Sequence, residues 1–535
     1  MQNNTLTSNL IPRNSIFSSN EKEQLLSVIE QKSSIIEQQN HRIKILEEAL
    51  ILSRVKRFAP SSEQSDGQIS LFDEAEVESD IESSTQDSPE NPTSPDTDKK
   101  AKTGRKPFSK DLPRVPIYLD LTDEEKEGAT KVFYTKVKEE LDIIPAKIQI
   151  LEYFQQKALF NTVDDNKAFS LKAACLPKHP FPKAMGSINL MAYIIISKYA
   201  DGLPLYRMAN ILKRYGGEIT RATLANWSIQ LSKPLQPLMN LIRDVQNAGD
   251  IILMDETTVK VLHEPDKPPT SDKYMWVSRS DDPQHPSVLF EYDPTRTKEV
   301  PLRLLDDFSG YLQTDGYAGY NAVCVQNNIT SVGCWDHARR KFKEAQSAQP
   351  PKSKKSKTTK ADMALSLINR LYLIEREIKG ASADKKYQVR QEKSVPQLQK
   401  LRQWIDNNLH KVPKDCLTGK ALTYVNNQWE KLVVYCEDGR LNISNVLAEN
   451  AIRPFVIGRK AWLFSNSSQG ASASAIHYSL IETAKANDIE PYAYLVYVLK
   501  KIPYAQTVEE IEMLLPWNYK KLLIDATKII NGVVH

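Results

Sequence analysis

A multidomain α/β fold is what this sequence predicts, on three observations. A long helical stretch with a seven-residue apolar repeat opens the chain. A Ser-, Asp-, Glu- and Pro-rich stretch then breaks the pattern. From residue 249 a helical region gives way to strand patterns and then to strand–helix repeats. A length of 535 residues fits several domains.

Composition excludes some functions and leaves others open. The 71 basic and 67 acidic residues give a net charge of only +4, so any nucleic-acid signal has to be local. The five cysteines are odd in number and form no CxxC pair, which fits a reduced, cytoplasmic chain. The opening MQNNTLTSNL lacks a charged-then-apolar leader pattern. The longest apolar run, residues 190–196, is far too short for a membrane, so no membrane partner is expected.

In residues 20–58, Ile29, Ile36, Ile43 and Leu50 recur every seven positions, with Leu25 and Leu46 on a flanking row. This predicts a leucine-zipper-like coiled coil; Ser33, Gln39 and Asn40 interrupt its seam, and a single amphipathic helix is the alternative. Residues 59–103 read as an acidic, then basic linker. The piece GRKP, with Arg105 and Lys106, resembles short arms that enter a DNA minor groove. Short strands are expected at 117–119 and 148–153. Residues 187–247 are predicted helical, with a break at Gly216-Gly217 and a helix started by Thr220. That order is helix-turn-helix-like and would put Arg221, Thr223 and Asn226 where base or phosphate contacts are made; plain helical packing is the alternative.

From residue 249 the chain reads GDIILMDETTVKVL, a strand by its alternation. Further strands are predicted at 274–279, 288–292, 311–314 and 331–335, with helices at 297–308 and 337–345. Three antiparallel-looking strands followed by strand–helix repeats is the order of a ribonuclease-H-like core. A basic loop at 349–360 and a helical insertion, about 345–437, interrupt it before the helical residues 472–500.

Asp255 lies inside the first of these strands, where a carboxylate is costly to desolvate without a cation. Asp315 ends a later strand, and Glu449 follows the insertion in a helical context. A ribonuclease-H-like sheet would bring the two aspartates together and pack the glutamate across them. Such clustered hard oxygen donors select Mg²⁺ or Mn²⁺, two ions of which serve in-line displacement at phosphorus.

These motifs resemble the transposases of the insertion sequence 66 family, the large DDE-type subunit. The resemblance runs from about residue 20 to about residue 525 and rests on RFAPSSEQSDGQISLFDEAE, GRKPFSKDLPR, KYADGLPLYRMANIL, RATLANW, LMDET, TDGYAGY, CWDHARRKF, LINRLYLIEREIKG, AENAIRPFVIGRKAWLF and LLPW. It implies metal-dependent cleavage and strand transfer at the element's terminal inverted repeats. It also implies Asp255, Asp315 and Glu449 as catalytic and metal-binding residues. His337, Arg339, Arg340 and Lys341 match its basic motif, placed against DNA or the active site. Arg453, Arg459 and Lys460 match the segment after the glutamate, and as cations they are candidate phosphate contacts. Expected partners are end and target DNA, further copies of the chain (at least a dimer) and small companion proteins of the same element.

Two departures are visible. The family's zinc-finger cysteines would fall near 127–133 and 160–165, where this chain reads EGATKVF and FNTVDD. No cysteine precedes Cys175, so residues 104–180 form a degenerate finger and no zinc is expected. Around the glutamate, Ser444 and Asn450 replace an acidic and a basic residue of the family pattern. The alternatives to an active transposase are a catalytically impaired DNA-binding remnant and a metal-dependent nuclease that does not join. A helical element at 481–525 completes the chain.

Overall fold

The computed structural model describes residues 19–58, 148–161, 169–182, 184–349 and 358–533, with isolated residues at 116 and 134–135. The linker, Arg105, Lys106 and the predicted strand at 117–119 lie outside the described residues.

The opening helix α1 spans Ser19–Phe58 and leaves Ile29, Ile36, Ile43 and Leu50 each more than half exposed. The strand expected at 148–153 is irregular backbone. The nearby strands are instead β1 (Lys157–Asn161) and β2 (Phe169–Ala173), an antiparallel pair. The apolar run at 148–153 gains no ladder partner, and Ile148 instead packs on the main core.

Four helices follow: α2 (Ile188–Tyr199), α3 (Leu205–Arg214), α4 (Arg221–Ser232) and α5 (Gln236–Asn247). Thr220 caps α4 as predicted, its Oγ1 accepting the Thr223 amide at 3.2 Å. Gly216 sits at φ +89° in the turn before it.

The centre is a mixed five-stranded sheet built from β3 (Ile251–Val259), β5 (Lys273–Ser280), β6 (Ser287–Asp293), β7 (Tyr311–Gln313) and β8 (Thr330–Val332). Its order is β6-β5-β3-β7-β8: β6, β5 and β3 pair antiparallel, and β3, β7 and β8 pair parallel. The run expected as one strand through residue 262 breaks at Lys260. Beyond it, β4 (Val261–His263) pairs in parallel with β9 (Ser465–Ser467), a strand the sequence did not reveal. Gly310 lets β7 start against β3, because a Cβ there would lie 2.4 Å from the Asp250 carbonyl oxygen.

Strand alternation sorts the side chains into two layers. Ile252, Met254 and Trp276 face a small core with α6 (Glu299–Leu304) and α7 (Asn321–Gln326). Val259, Met275 and Val277 face the main core, which contains helices α2–α5 and the C-terminal helices. The predicted helix 297–308 is confined to α6, and that at 337–345 extends to α8 (Trp335–Ser347).

The insertion folds as α9 (Lys360–Glu377), α10 (Ala383–Val389), α11 (Val395–Leu409) and α12 (Leu417–Val433), with its own core. Arg390 is 1% exposed and lies at its centre. Nε and Nη2 donate to the two Glu375 carboxylate oxygens at 2.9 and 2.7 Å, and the guanidinium also reaches the carbonyls of Tyr435, Asp438 and Leu441. The chain then enters α13 (Val446–Trp462), α14 (Ser468–Ala486), α15 (Pro491–Lys501), α16 (Val508–Glu512) and α17 (Pro516–Val533). No helix of the described residues is long and apolar enough to cross a membrane.

Replacing Arg390 by Met strands the partly buried Glu375 carboxylate and three carbonyls. The expected loss is about 3–5 kcal/mol within residues 360–441. Hydrogen exchange of α9–α12 reads it; protection equal to wild type would show that the guanidinium is not needed there.

Candidate active site

Parallel pairing places the two aspartates side by side. Ile251, Ile252 and Leu253 pair with Tyr311, Leu312 and Gln313, and Asp255 and Asp315 each lie two residues beyond the last pair. Alternation turns Asp255 to the side of Leu253, away from the α6–α7 layer. Glu449 stands in the first turn of α13, which packs on that side of β3, and is 6% exposed. The three carboxylates are close enough to act on one another. Burial pushes Asp255 well above the usual carboxylate range, and the charges of Glu256, Glu449 and Asp315 push it further; the Glu256 amide, donating to Oδ1 at 2.9 Å, opposes this.

Two devices hold the cluster. The first is Asn445, fully buried at the start of α13. Its Nδ2 donates to the Met254 carbonyl at 2.8 Å, one residue before Asp255, and its amide donates to Cys334 Sγ at 3.2 Å. The second is a cationic clamp. Glu256 points to the opposite layer, its carboxylate held by Arg296 Nε at 2.7 Å and by the Tyr320 hydroxyl at 2.6 Å. Burial and then Asp315 raise the Glu256 pKa, and Arg296 opposes them. Arg296 Nη2 also lies 3.9 Å from Asp315 Oδ2, and its guanidinium stacks 3.9 Å over the Tyr317 ring. The Tyr317 amide donates to Asp315 Oδ1 at 2.8 Å.

The CWDHARRKF segment runs from Cys334 into α8. His337 Nδ1 is 3.6 Å from Glu449 Oε1. Burial, with Arg340 and Lys341, pushes His337 down to about 4 against the opposing pull of Asp315, so the ring is neutral at pH 7 and this contact is not an ion pair. Lys341 Nζ sits 4.7 Å over the Tyr424 ring, and Tyr424 donates to the Asp315 carbonyl at 2.7 Å. Arg339 departs from its expected place against DNA. It is 5% exposed and donates to Asn369 Oδ1 at 2.9 Å, bracing α8 against α9. Arg340 is partly buried.

On α13, Arg453, Arg459 and Lys460 are partly buried. Arg459 Nη1 donates to Thr257 Oγ1 at 3.2 Å, so it too ties the helix to β3. Arg221 is exposed at the start of α4, with no contact to the acidic cluster among those described, as are Thr223 in part and Asn226. Ser444 is buried beside Asn445, whereas Asn450 is exposed. Sequence reasoning missed Asn445, Glu256 and Arg296. The adjacent Asp-Glu pair of LMDET was a usable signal for the second.

The donor chemistry of Asp255, Asp315 and Glu449 suits Mg²⁺ or Mn²⁺, since all are hard oxygens, although the three are not among the described groups whose ligand atoms all lie within 4.8 Å of one another. Fold and site together define a class: an α/β protein whose adjacent parallel strands and one helix present a partly buried acidic cluster. Known proteins supply the family. A model described as "Transposase IS66 family" matches residues 183–473, an "IS66 C-terminal element" matches 479–517, and a "Transposase C of IS166 homeodomain" matches 45–117. The chain belongs to the IS66 transposase family. It is similar to three Sinorhizobium fredii proteins. Uncharacterized protein y4qI is 31% identical over 79% of both chains. Uncharacterized protein y4jD is 27% identical over 80% of this chain and 86% of its own, and y4hP 30% over 72% and 71%.

Asp255→Asn removes one of the converging charges, so it stabilises the metal-free protein, by about 1–2 kcal/mol at pH 8. The folded Asp255 pKa lies above the unfolded value of about 3.9. The penalty is therefore absent below the unfolded value and grows as pH rises through the folded one. The gain should shrink toward pH 4 in paired thermal melts; a gain that grows as pH falls would contradict charge repulsion and burial as its source.

Proposed function

We propose that this chain is a metal-dependent DNA transposase that cleaves and joins the ends of its own insertion sequence. One observation carries the reading: Asp255, Asp315 and Glu449, remote in sequence, converge on one side of a mixed sheet. In this reading the sheet with α8, α13 and α14 is a ribonuclease-H-like catalytic domain, about 249–480, with the helical insertion inside it. Helices α2–α5 are a DNA-binding region, and residues 481–525 a C-terminal element.

Asp255, Asp315 and Glu449 would hold two Mg²⁺ or Mn²⁺ ions, which supply activation of an attacking oxygen and stabilisation of the leaving one. The protein's own part is positional. Asn445 fixes the helix that carries Glu449 to the carbonyl beside Asp255. Arg296 brings a guanidinium 3.9 Å from Asp315 while holding the Glu256 carboxylate in the opposite layer. Arg340, Lys341, Arg453 and Lys460 supply positive charge toward a phosphate backbone. Arg221, Arg105 and Lys106 supply contacts further along the DNA. The exposed stripe of α1, from Ile29 to Leu50, fits self-association as a coiled coil, in keeping with a reaction on two DNA ends.

The test uses purified protein and labelled element-end DNA with Mg²⁺, comparing wild type with Asp255→Asn. The substitution should lower cleavage and strand transfer by roughly 10²–10³-fold, the scale of one lost transition-state electrostatic contact. Equal product from both proteins removes Asp255 from the mechanism. Cleavage without joined product points to a nuclease. Bound but uncut DNA from wild type points to an impaired remnant, with Ser444 and Asn450 as the first positions to restore.

A further inference from the structure

A thiol, an imidazole and a carboxylate meet at Glu449. One ligand atom each from Cys334, His337 and Glu449 lies within 4.8 Å of the other two. This is the one such group of three or more His, Cys, Asp or Glu among the described residues. We propose that Cys334, His337 and Glu449 form a site for a thiophilic divalent cation of the Zn²⁺ class, and that an ion there excludes Mg²⁺ by taking Glu449. Zn²⁺ binding stands on this geometry alone; only the exclusion rests on the function proposed above. The site would revise the expectation of a zinc-free chain, which follows from the missing finger cysteines and not from this place.

Donor chemistry favours zinc. One sulfur, one nitrogen and one carboxylate oxygen is a three-ligand zinc set with a fourth position left open, whereas Mg²⁺ has little affinity for sulfur. Distances agree. His337 Nδ1 and Glu449 Oε1 are 3.6 Å apart, close to the roughly 3.3 Å between ligands set about 2.0–2.1 Å from a tetrahedral ion. His337 Nδ1 is buried and makes no hydrogen bond among the described residues, so it is unengaged by anything a metal would have to displace.

Cys334 is prepared as well. It is 1% exposed, at the junction of β8 and α8, and the Asn445 amide donates to its sulfur at 3.2 Å. That N–H opposes burial and the nearby Asp336 and Glu449, which together push the thiol well above its ordinary range. Binding would exchange the thiol proton, released to solvent, for the S–metal bond. Asn445 therefore serves both sites: its side chain holds β3 and its amide holds the sulfur.

The test is on the full, metal-stripped chain, with Zn²⁺ by calorimetry and Co²⁺ as the optical probe. Expected are one ion per chain and a thiolate-to-cobalt charge-transfer band that disappears in Cys334→Ser. Zn²⁺ affinity should fall at least tenfold in Cys334→Ser and separately in His337→Gln, with circular dichroism melts confirming that both fold. Millimolar Mg²⁺ should weaken apparent Zn²⁺ affinity. Asp255→Asn, outside the ligand set, should keep Zn²⁺ affinity within about threefold even where it abolishes DNA cleavage. A band that survives Cys334→Ser, or no band at all, overturns the site. Zn²⁺ binding indifferent to Mg²⁺ overturns the exclusion. Intact Zn²⁺ binding by a protein that cuts no DNA would fail the proposed function while leaving this site standing.

Discussion

Repulsion between carboxylates brought together under a protein surface is the constraint on which this structure is built. Asp315 and Glu449 add to the cost of ionising Asp255, and a loose chain would let them part. The scaffold prevents that with its stiffest available parts. Two neighbouring parallel strands set the aspartates, and a helix held to one of them by a buried asparagine sets the glutamate. The fourth carboxylate, Glu256, is turned by strand alternation into the other layer and neutralised there by Arg296. Two adjacent acidic residues thus receive opposite environments from one β-strand.

The insertion serves the same end from a distance. Its last helix meets the sheet at Gly333, whose amide donates to the Lys431 carbonyl, and the strap that follows returns so that the Trp335 amide donates to the Ile443 carbonyl. Arg390 gathers the carbonyls of that strap just before it reaches Asn445. Tyr424 reaches from α12 to the Asp315 backbone. The helical excursion is therefore a buttress for both the second and third acids.

Much of this was legible in sequence because it is periodic. Alternation marked β3, β5 and β6, and the apolar setting of LMDET marked Asp255 as expensive before any partner was known. The heptad of Ile29 to Leu50 marked α1, and Thr220 marked the start of α4. What escaped was non-periodic and non-local. Asn445 looks like an ordinary residue before a helix; its importance lies in a carbonyl far away in the chain. The β4–β9 ladder has only three residues in each strand, too few to alternate visibly. Residues 148–153 alternate well enough but find no strand to pair with, and propensity without a partner does not make a sheet. Arg339 read as one cation in a basic run, yet burial assigns it to packing.

The helix α13 is fastened to the first strand at both ends. Asn445 fixes its beginning to Met254, while Arg459 and the β9–β4 ladder fix its end to Thr257 and Val261. Strand and helix thereby form a closed ring of short contacts, like a beam pinned at both supports. The spacing of Asp255 and Glu449 is then a local property of that ring.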